Sequence, residues 1–237
     1  TPHSMEDSHR LNQMLVGFLQ KEGEVATLRG AIRRMDDWGH KGRHSAAAAE
    51  IIRQAREMEG NQKLDVVVLG ALTNVASALW IAPDIEEVLR IYWLGLSYDF
   101  EKGSHGRTTF NAMMDPQATD FLLASGVEMH ILPNPTSLAM RFEFTETHRH
   151  FHGVHPLTDF LVKRWTQHVD GGRYERIIWD LGIVGALIHP EWCTEIKGRG
   201  FDNPNVWIYE RIDGDAIREE FFRMTLEYVE KLPGYAP

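Results

Sequence analysis

A chain of 237 residues, 43% of them hydrophobic, is long enough to bury a sizeable core and fits one larger α/β domain, spanning 1–237, better than two small ones. A formal net charge of -9 opposes the phosphate backbone of nucleic acid and an anionic membrane surface, so neither is an expected partner. The single cysteine, Cys193, cannot form an internal disulfide, and neither a membrane-length apolar run nor a signal-like opening is present, so a cytoplasmic protein is expected.

Taken in order, Ser4-Met5-Glu6-Asp7 has capping-box spacing, and Leu11, Met14, Leu15, Phe18 and Leu19 recur at helical intervals up to Gly23. Val25 to Leu28 is a short strand candidate, Arg33 to Arg43 reads as a polar surface loop, and the Ala-rich Ser45 to Met58 predicts a helix stopping near Gly60. The segment Asp65 to Leu79 is the one around which the rest of the chain is organised. Val66-Val67-Val68-Leu69, with three β-branched residues, predicts a strand buried on both faces, and Gly70-Ala71 hands the chain to a helix whose N-cap would be Thr73. Main-chain groups at Leu69 and Gly70 would lie where ligands gather in open α/β sheets, outside the carboxyl ends of the strands.

The rhythm continues. The helix from Thr73 meets Pro83, a helical piece at Ile85 to Leu89 leads to a strand at Ile91 to Leu94, and Gly95 to Thr109 reads as a loop. Asp115-Pro116 opens a helix to Gly126, Val127 to Leu132 is a strand, and Pro133 to Pro156 is an irregular segment rich in Thr and His. Leu157 to Val169 and Trp179 to Ile188 predict helices, Asn205 to Ile212 a strand, and Asp215 to Leu232 a closing helix. Repeating βα units predict a largely parallel sheet.

Several residues are candidates for chemistry. A long glycine-rich polar loop at a strand's carboxyl end points to function, and within it Asn111 has no evident structural role, whereas Asp115 before Pro116 suits a helix cap. His148, His150, His152 and His155 could bind a transition metal through neutral imidazoles, but no Cys or carboxylate has matching ligand spacing. Asp36-Asp37 is the only adjacent Asp pair and reads as solvated surface.

Four pieces in register, Leu69-Gly70-Ala71-Leu72-Thr73-Asn74-Val75-Ala76, Trp93-Leu94-Gly95, Phe110-Asn111 with Asp115-Pro116, and Trp179-Asp180 with His189-Pro190-Glu191-Trp192, resemble the inosine–uridine-preferring nucleoside hydrolases. The resemblance implies a Rossmann-like fold with helices on both faces of a mostly parallel sheet. It also implies hydrolysis of the N-glycosidic bond of a nucleoside or related riboside, and a homodimer or homotetramer. It implies Ca2+ at the carboxyl edge of the sheet, with Leu69 supplying a main-chain carbonyl and Asp180 a carboxylate, in keeping with the oxygen ligands of a hard cation. In that family the ion activates the attacking water, and carboxylates near the ribose stabilise an oxocarbenium-like transition state. Ribose contacts would fall on Leu94 and Asn111. Taken alone, Asp180 reads equally as an N-cap.

Three departures stand out. Trp179 occupies the place of a histidine that protonates the leaving base; tryptophan cannot donate that proton, though it can stack on the base or simply pack. His105, His152 and His155 are candidate replacements for that acid. Thr108-Thr109 replaces an Ala-Glu pair, removing a carboxylate from the 5′ side of the pocket. The family's opening strand and Asp-rich loop, which supply the proton-accepting base and most calcium ligands, have no counterpart, so the N-terminal βαβ portion is expected to be missing. Either the chain is part of a longer polypeptide, or it is a variant kept for nucleoside or sugar binding or as a scaffold. Loss of a central strand would leave main-chain groups unpaired, which favours the former.

Overall fold

The structure, a computed structural model, describes residues 4–35, 41–167 and 172–236. Two helices come first: α1 (Ser4–Phe18) and α2 (Ala46–Glu57), the latter capped by the Ser45 hydroxyl, which accepts from the Ala48 amide at 3.0 Å. The first βαβ unit is β1 (Leu64–Val68), α3 (Thr73–Ile81), a 3-10 turn at Pro83–Ile85 and β2 (Leu89–Leu94). A hairpin of β3 (Ser97–Asp99) and β4 (Ser104–Gly106) comes next, then α4 (Phe110–Met114), α5 (Pro116–Leu123) and β5 (Glu128–Leu132). Beyond them lie α6 (Asn134–Ser137), β6 (Arg141–Glu143), α7 (Phe144–Phe151), α8 (Pro156–Thr166), β7 (Glu175–Ile177) and α9 (Trp179–Ile188). The chain closes with β8 (Cys193–Lys197), β9 (Val206–Ile212) and α10 (Gly214–Val229).

The main sheet runs β1-β2-β5-β9-β8, parallel across its first four strands and antiparallel at β8. Side chains alternate along a strand, so β2 feeds two cores. Ile91 and Trp93 pack with Leu79, Leu122 and Met129 on one face, while Tyr92 and Leu94 pack with Leu132, Ile183 and Phe222 on the other. This is the mostly parallel α/β sheet with helices on both faces that the repeating units predict. Gly182 lets α9 lie close to the sheet, since a Cβ there would meet Leu132 Cδ2 at 2.8 Å.

Some expectations are corrected. Val25 to Leu28 is not a strand: Val25 and Leu28 are exposed and the segment joins no ladder. Among the described residues β1 is an edge strand with half-buried Val66, Val67 and Val68, not a strand buried on both faces. Leu72, not Thr73, is the N-cap of α3; the Thr73 hydroxyl donates instead to Asp115 Oδ2 at 2.5 Å. The piece after Pro83 is a 3-10 turn, and β2 already begins at Leu89. The loop after Gly95 folds into the β3–β4 hairpin, and the Thr- and His-rich segment carries α6, β6 and α7. β7 and β8 add two strands whose existence depends on partners distant in sequence. Asp36-Asp37 lies outside the described residues. Among the described residues, no helix is long and apolar enough to cross a membrane.

Candidate active site

The carboxyl ends of β1, β2 and β5 meet α4 and the start of α9 around a cavity of about 490 Å³. Its floor is built locally. The Trp93 indole lies under Gly95, where a Cβ would stand 2.3 Å from the ring, and its Nε1 donates to the Gly70 carbonyl at 3.0 Å. Only glycine fits at that point, and the bond ties the end of β1 to β2.

The next residue, Leu96, is fully buried with a φ of 64°, a left-handed conformation that leucine adopts at a cost of roughly 1–2 kcal/mol. Its amide donates to the Thr109 hydroxyl at 3.1 Å, and its carbonyl accepts from the Asn134 amide at 3.0 Å. Gly95, Thr109 and Asn134 all line the cavity, so this strained residue pins three of its walls. Thr109 therefore contributes a backbone tie where the sequence indicated only a lost carboxylate.

Asn111, on α4, donates through Nδ2 to the Leu94 carbonyl at 2.9 Å and the Leu69 carbonyl at 3.3 Å. Its amide nitrogen spans the ends of two strands, and its Oδ1 is left to accept from a ligand. Asp115, fully buried, fixes the helix pair behind it: Oδ1 accepts from the Ala118 amide at 3.0 Å, and Oδ2 from the Met35 amide at 2.9 Å as well as from Thr73.

Opposite, α9 starts at Trp179. Ile178, its N-cap, makes no side-chain cap bond, and its amide donates to the Met140 carbonyl at 2.8 Å. Asp180 is thus in the first turn, not at the cap, and its side chain makes no hydrogen bond or ion pair among the described residues. It is solvent-exposed where it opens onto the cavity, and partial desolvation by the surrounding protein raises its carboxyl above the ordinary aspartate range. Among the described residues, no cation opposes that rise.

Leu69, Leu94, Asn111, Trp179 and Asp180 all line this one cavity, together with Gly95, Thr109, Phe110 and Asn134. Of the last four, Asn134 escaped the sequence reading, while Gly95, Thr109 and Phe110 were noted in it without being assigned as site residues. Phe110 is 70% exposed in a chain whose apolar residues are mostly covered, a signal that exists only once the fold is known. His105, His152 and His155 do not line it. His105 stacks on Phe201 at 4.4 Å, and burial lowers its pKa; His152 pairs with Asp159 at 3.3 Å. His155 is buried as the cap of α8, with Nδ1 accepting from the Leu157 amide and Nε2 donating to the Pro233 carbonyl. His150 stacks on Phe222, and no group of three metal-ligating side chains occurs among the described residues.

As donors for a hard cation, the Leu69 carbonyl and Asp180 carboxylate have the right chemistry, but calcium takes about 6–8 oxygens. Two ligands, one already accepting from Asn111, do not make that site by themselves.

A family model described as inosine-uridine preferring nucleoside hydrolase matches residues 14–219. A probable ribonucleoside hydrolase from Dictyostelium discoideum is 33% identical over 72 residues, covering 30% of this chain and 21% of that protein; the match thus spans about a fifth of the curated relative. Among solved structures, the purine-preferring ribonucleoside hydrolase from Gardnerella vaginalis superposes with a TM-score of 0.59 at 20% identity, covering 82% of this chain and 69% of that one. An inosine-guanosine nucleoside hydrolase gives 0.60 at 19%, covering 80% and 68%. The Bacillus anthracis inosine-uridine preferring nucleoside hydrolase gives 0.57 at 16%, covering 76% and 65%. At these identities the structural likeness speaks to the fold, and the family match spans most of the chain. The chain belongs to the inosine-uridine preferring nucleoside hydrolase family.

Proposed function

We propose that this protein hydrolyses the N-glycosidic bond of a ribonucleoside, with the ribose seated in the Asn111–Asp180 cavity. One observation carries the reading: five residues from four separate segments, Leu69, Leu94, Asn111, Trp179 and Asp180, converge on a single cavity at the carboxyl edge of the sheet.

In this reading Asn111 Oδ1 accepts from a sugar hydroxyl while its nitrogen stays anchored to the two strand-end carbonyls. The anchoring removes the freedom of the amide, so the contact is pre-organised. Asp180, unpaired within the described residues, faces the ribose and, when ionised, stabilises the positive charge that develops as the glycosidic bond breaks. Trp179, 38% exposed at the cavity, offers its face to the base. Calcium would supply activation of the attacking water. Leu69 and Asp180 are proposed as two of its ligands, which by themselves are too few to hold the ion.

A second reading is binding without turnover. It is favoured by the absence, among the described residues, of any titratable group lining the cavity other than Asp180. Release of free base from inosine or uridine, followed with and without added calcium, separates the two. Catalysis predicts turnover that Asn111→Ala reduces by about 10²–10³-fold; retained riboside affinity without base release would establish the binding module instead.

A further inference from the structure

Asn134 stands just past the carboxyl end of β5, at the start of α6, and lines the same cavity as Asn111 and Asp180. Its main chain is held firmly. The amide donates to the Leu96 carbonyl at 3.0 Å, the carbonyl accepts from the Ser137 hydroxyl at 3.0 Å, and the nearby Thr136 hydroxyl ties the turn to β9 by donating to the Tyr209 carbonyl at 2.8 Å. Pro135 fixes the next φ angle. The Asn134 side chain, by contrast, is half-buried and makes no hydrogen bond among the described residues.

Away from the cavity, the covered asparagines are spent on the protein. Asn74 Oδ1 accepts from the Ala31 amide at 2.9 Å and the Ser45 hydroxyl at 3.2 Å, and Asn203 donates to the Val127 carbonyl and accepts from the Asn205 amide, each at 2.8 Å. Burial normally forces such use, because a carboxamide withdrawn from water costs free energy unless its donors and acceptor are paired. Like Asp180, Asn134 is fixed in place at the cavity wall with its hydrogen-bonding capacity unspent.

The two asparagines of the cavity flank one short stretch of chain. Asn111 Nδ2 holds the Leu94 carbonyl and the Asn134 amide holds the Leu96 carbonyl, so the residues are moored on either side of Gly95. Asn111 also reaches the end of β1, whereas Asn134 belongs to β5, and β2 runs between those strands. Neighbouring strands lie about 4.8 Å apart, so the two carboxamides start from opposite sides of β2 and suit separate groups of one ligand better than a shared one. A ribose offers several hydroxyls around its ring, each both donor and acceptor, as a carboxamide is.

We infer that Asn134 is a specificity-determining residue that hydrogen-bonds a ribose hydroxyl different from the one held by Asn111. The inference rests on the seating of a ribonucleoside proposed above and deepens it: the site takes an intact ribose and discriminates against a sugar that lacks the second hydroxyl.

Calorimetry and base release with uridine and inosine, each beside its 2′-, 3′- and 5′-deoxy analogues, test this in the parent, Asn111→Ala and Asn134→Ala. The parent is expected to favour each nucleoside by about tenfold over the analogue lacking the hydroxyl that Asn134 reads. Asn134→Ala is expected to cancel that preference by weakening the nucleoside and not that analogue, with the urea midpoint unchanged because the side chain has no protein partner to lose. Asn111→Ala is expected to cancel the preference for a different hydroxyl. A uniform loss across a series, preferences left intact by Asn134→Ala, or the same hydroxyl lost in both variants would overturn the inference even where base is released. Preferences that shift as expected in the calorimeter, with no base released, would instead overturn the hydrolase reading and leave the role of Asn134 standing. Absence of affinity for either series would overturn both.

Discussion

The first turns of α5 and α9 look alike in sequence, each with an aspartate at a helix start, yet the fold treats them in opposite ways. Asp115 is sealed from solvent and accepts from Met35, Thr73 and Ala118, joining the loop before residue 36, the start of α3 and its own helix. Asp180 has no donor among the described residues, faces a cavity and carries a raised pKa from lost hydration alone. A satisfied carboxylate stabilises structure; an unsatisfied one at a cavity wall is held ready for a ligand.

Substitutions at the two sites sharpen the contrast. Asp180→Ala is expected to lower base release by about 10²–10³-fold, an effect of roughly 3–4 kcal/mol on the transition state, with little change in the denaturation midpoint. Asp115→Ala reverses the pattern: three donors lose their acceptor, and urea denaturation is expected to show a loss of about 3 kcal/mol or more. If both variants lost stability equally and activity equally, the distinction between the two aspartates would collapse.

Dependence on pH extends the comparison to a third group. His130 is partly buried, which lowers its pKa, but Nδ1 bonds Glu195 at 2.7 Å and Nε2 bonds Glu128 at 3.0 Å, and these carboxylates outweigh burial and raise it. The stability from the protonated ring is fully present below the ordinary value of 6.5 and is lost as pH rises through the raised one. Denaturation followed from pH 6 upward is expected to show that decline in the parent and a flatter profile in His130→Gln. For Asp180 the sign is the same for a different reason. Its charged form is disfavoured in the fold, so relative stability falls as pH rises from 3.8 through the raised value, and Asp180→Asn is expected to remove that fall.

The smallest expected effect is at Thr109. Thr109→Val removes the acceptor that holds the left-handed Leu96 amide, for a loss of about 1 kcal/mol and a modest rise in KM for the riboside. An unchanged KM would detach Leu96 from the shaping of the cavity.

Much of the fold was legible in the chain. The apolar runs at β1, β2, β5 and β9 and the periodic segments at α1, α2, α8, α9 and α10 are local signals, because each is set by the burial of its own face. Short elements were not legible. β3, β4, β6 and β7, three residues each, exist through a partner strand and have no periodicity long enough to read. The same holds for β1 as an edge strand, since its β-branched run describes strand propensity and says nothing about which neighbours it gains.

The candidate site divides the same way. Residue types and order by themselves pointed to the main chain at Leu69 and to Asn111, a strand end and a polar side chain without an evident structural role, whereas Leu94, Trp179 and Asp180 were indicated through the resemblance to the nucleoside hydrolases. Only the tertiary structure decided that they line one space, that Asn111 is anchored to two carbonyls, and that Asp115, beyond capping its helix, also binds Met35 and Thr73 while Asp180 is left open. The physical reason is that satisfaction of a polar group is a property of its surroundings, and those surroundings come from segments tens of residues apart in the chain.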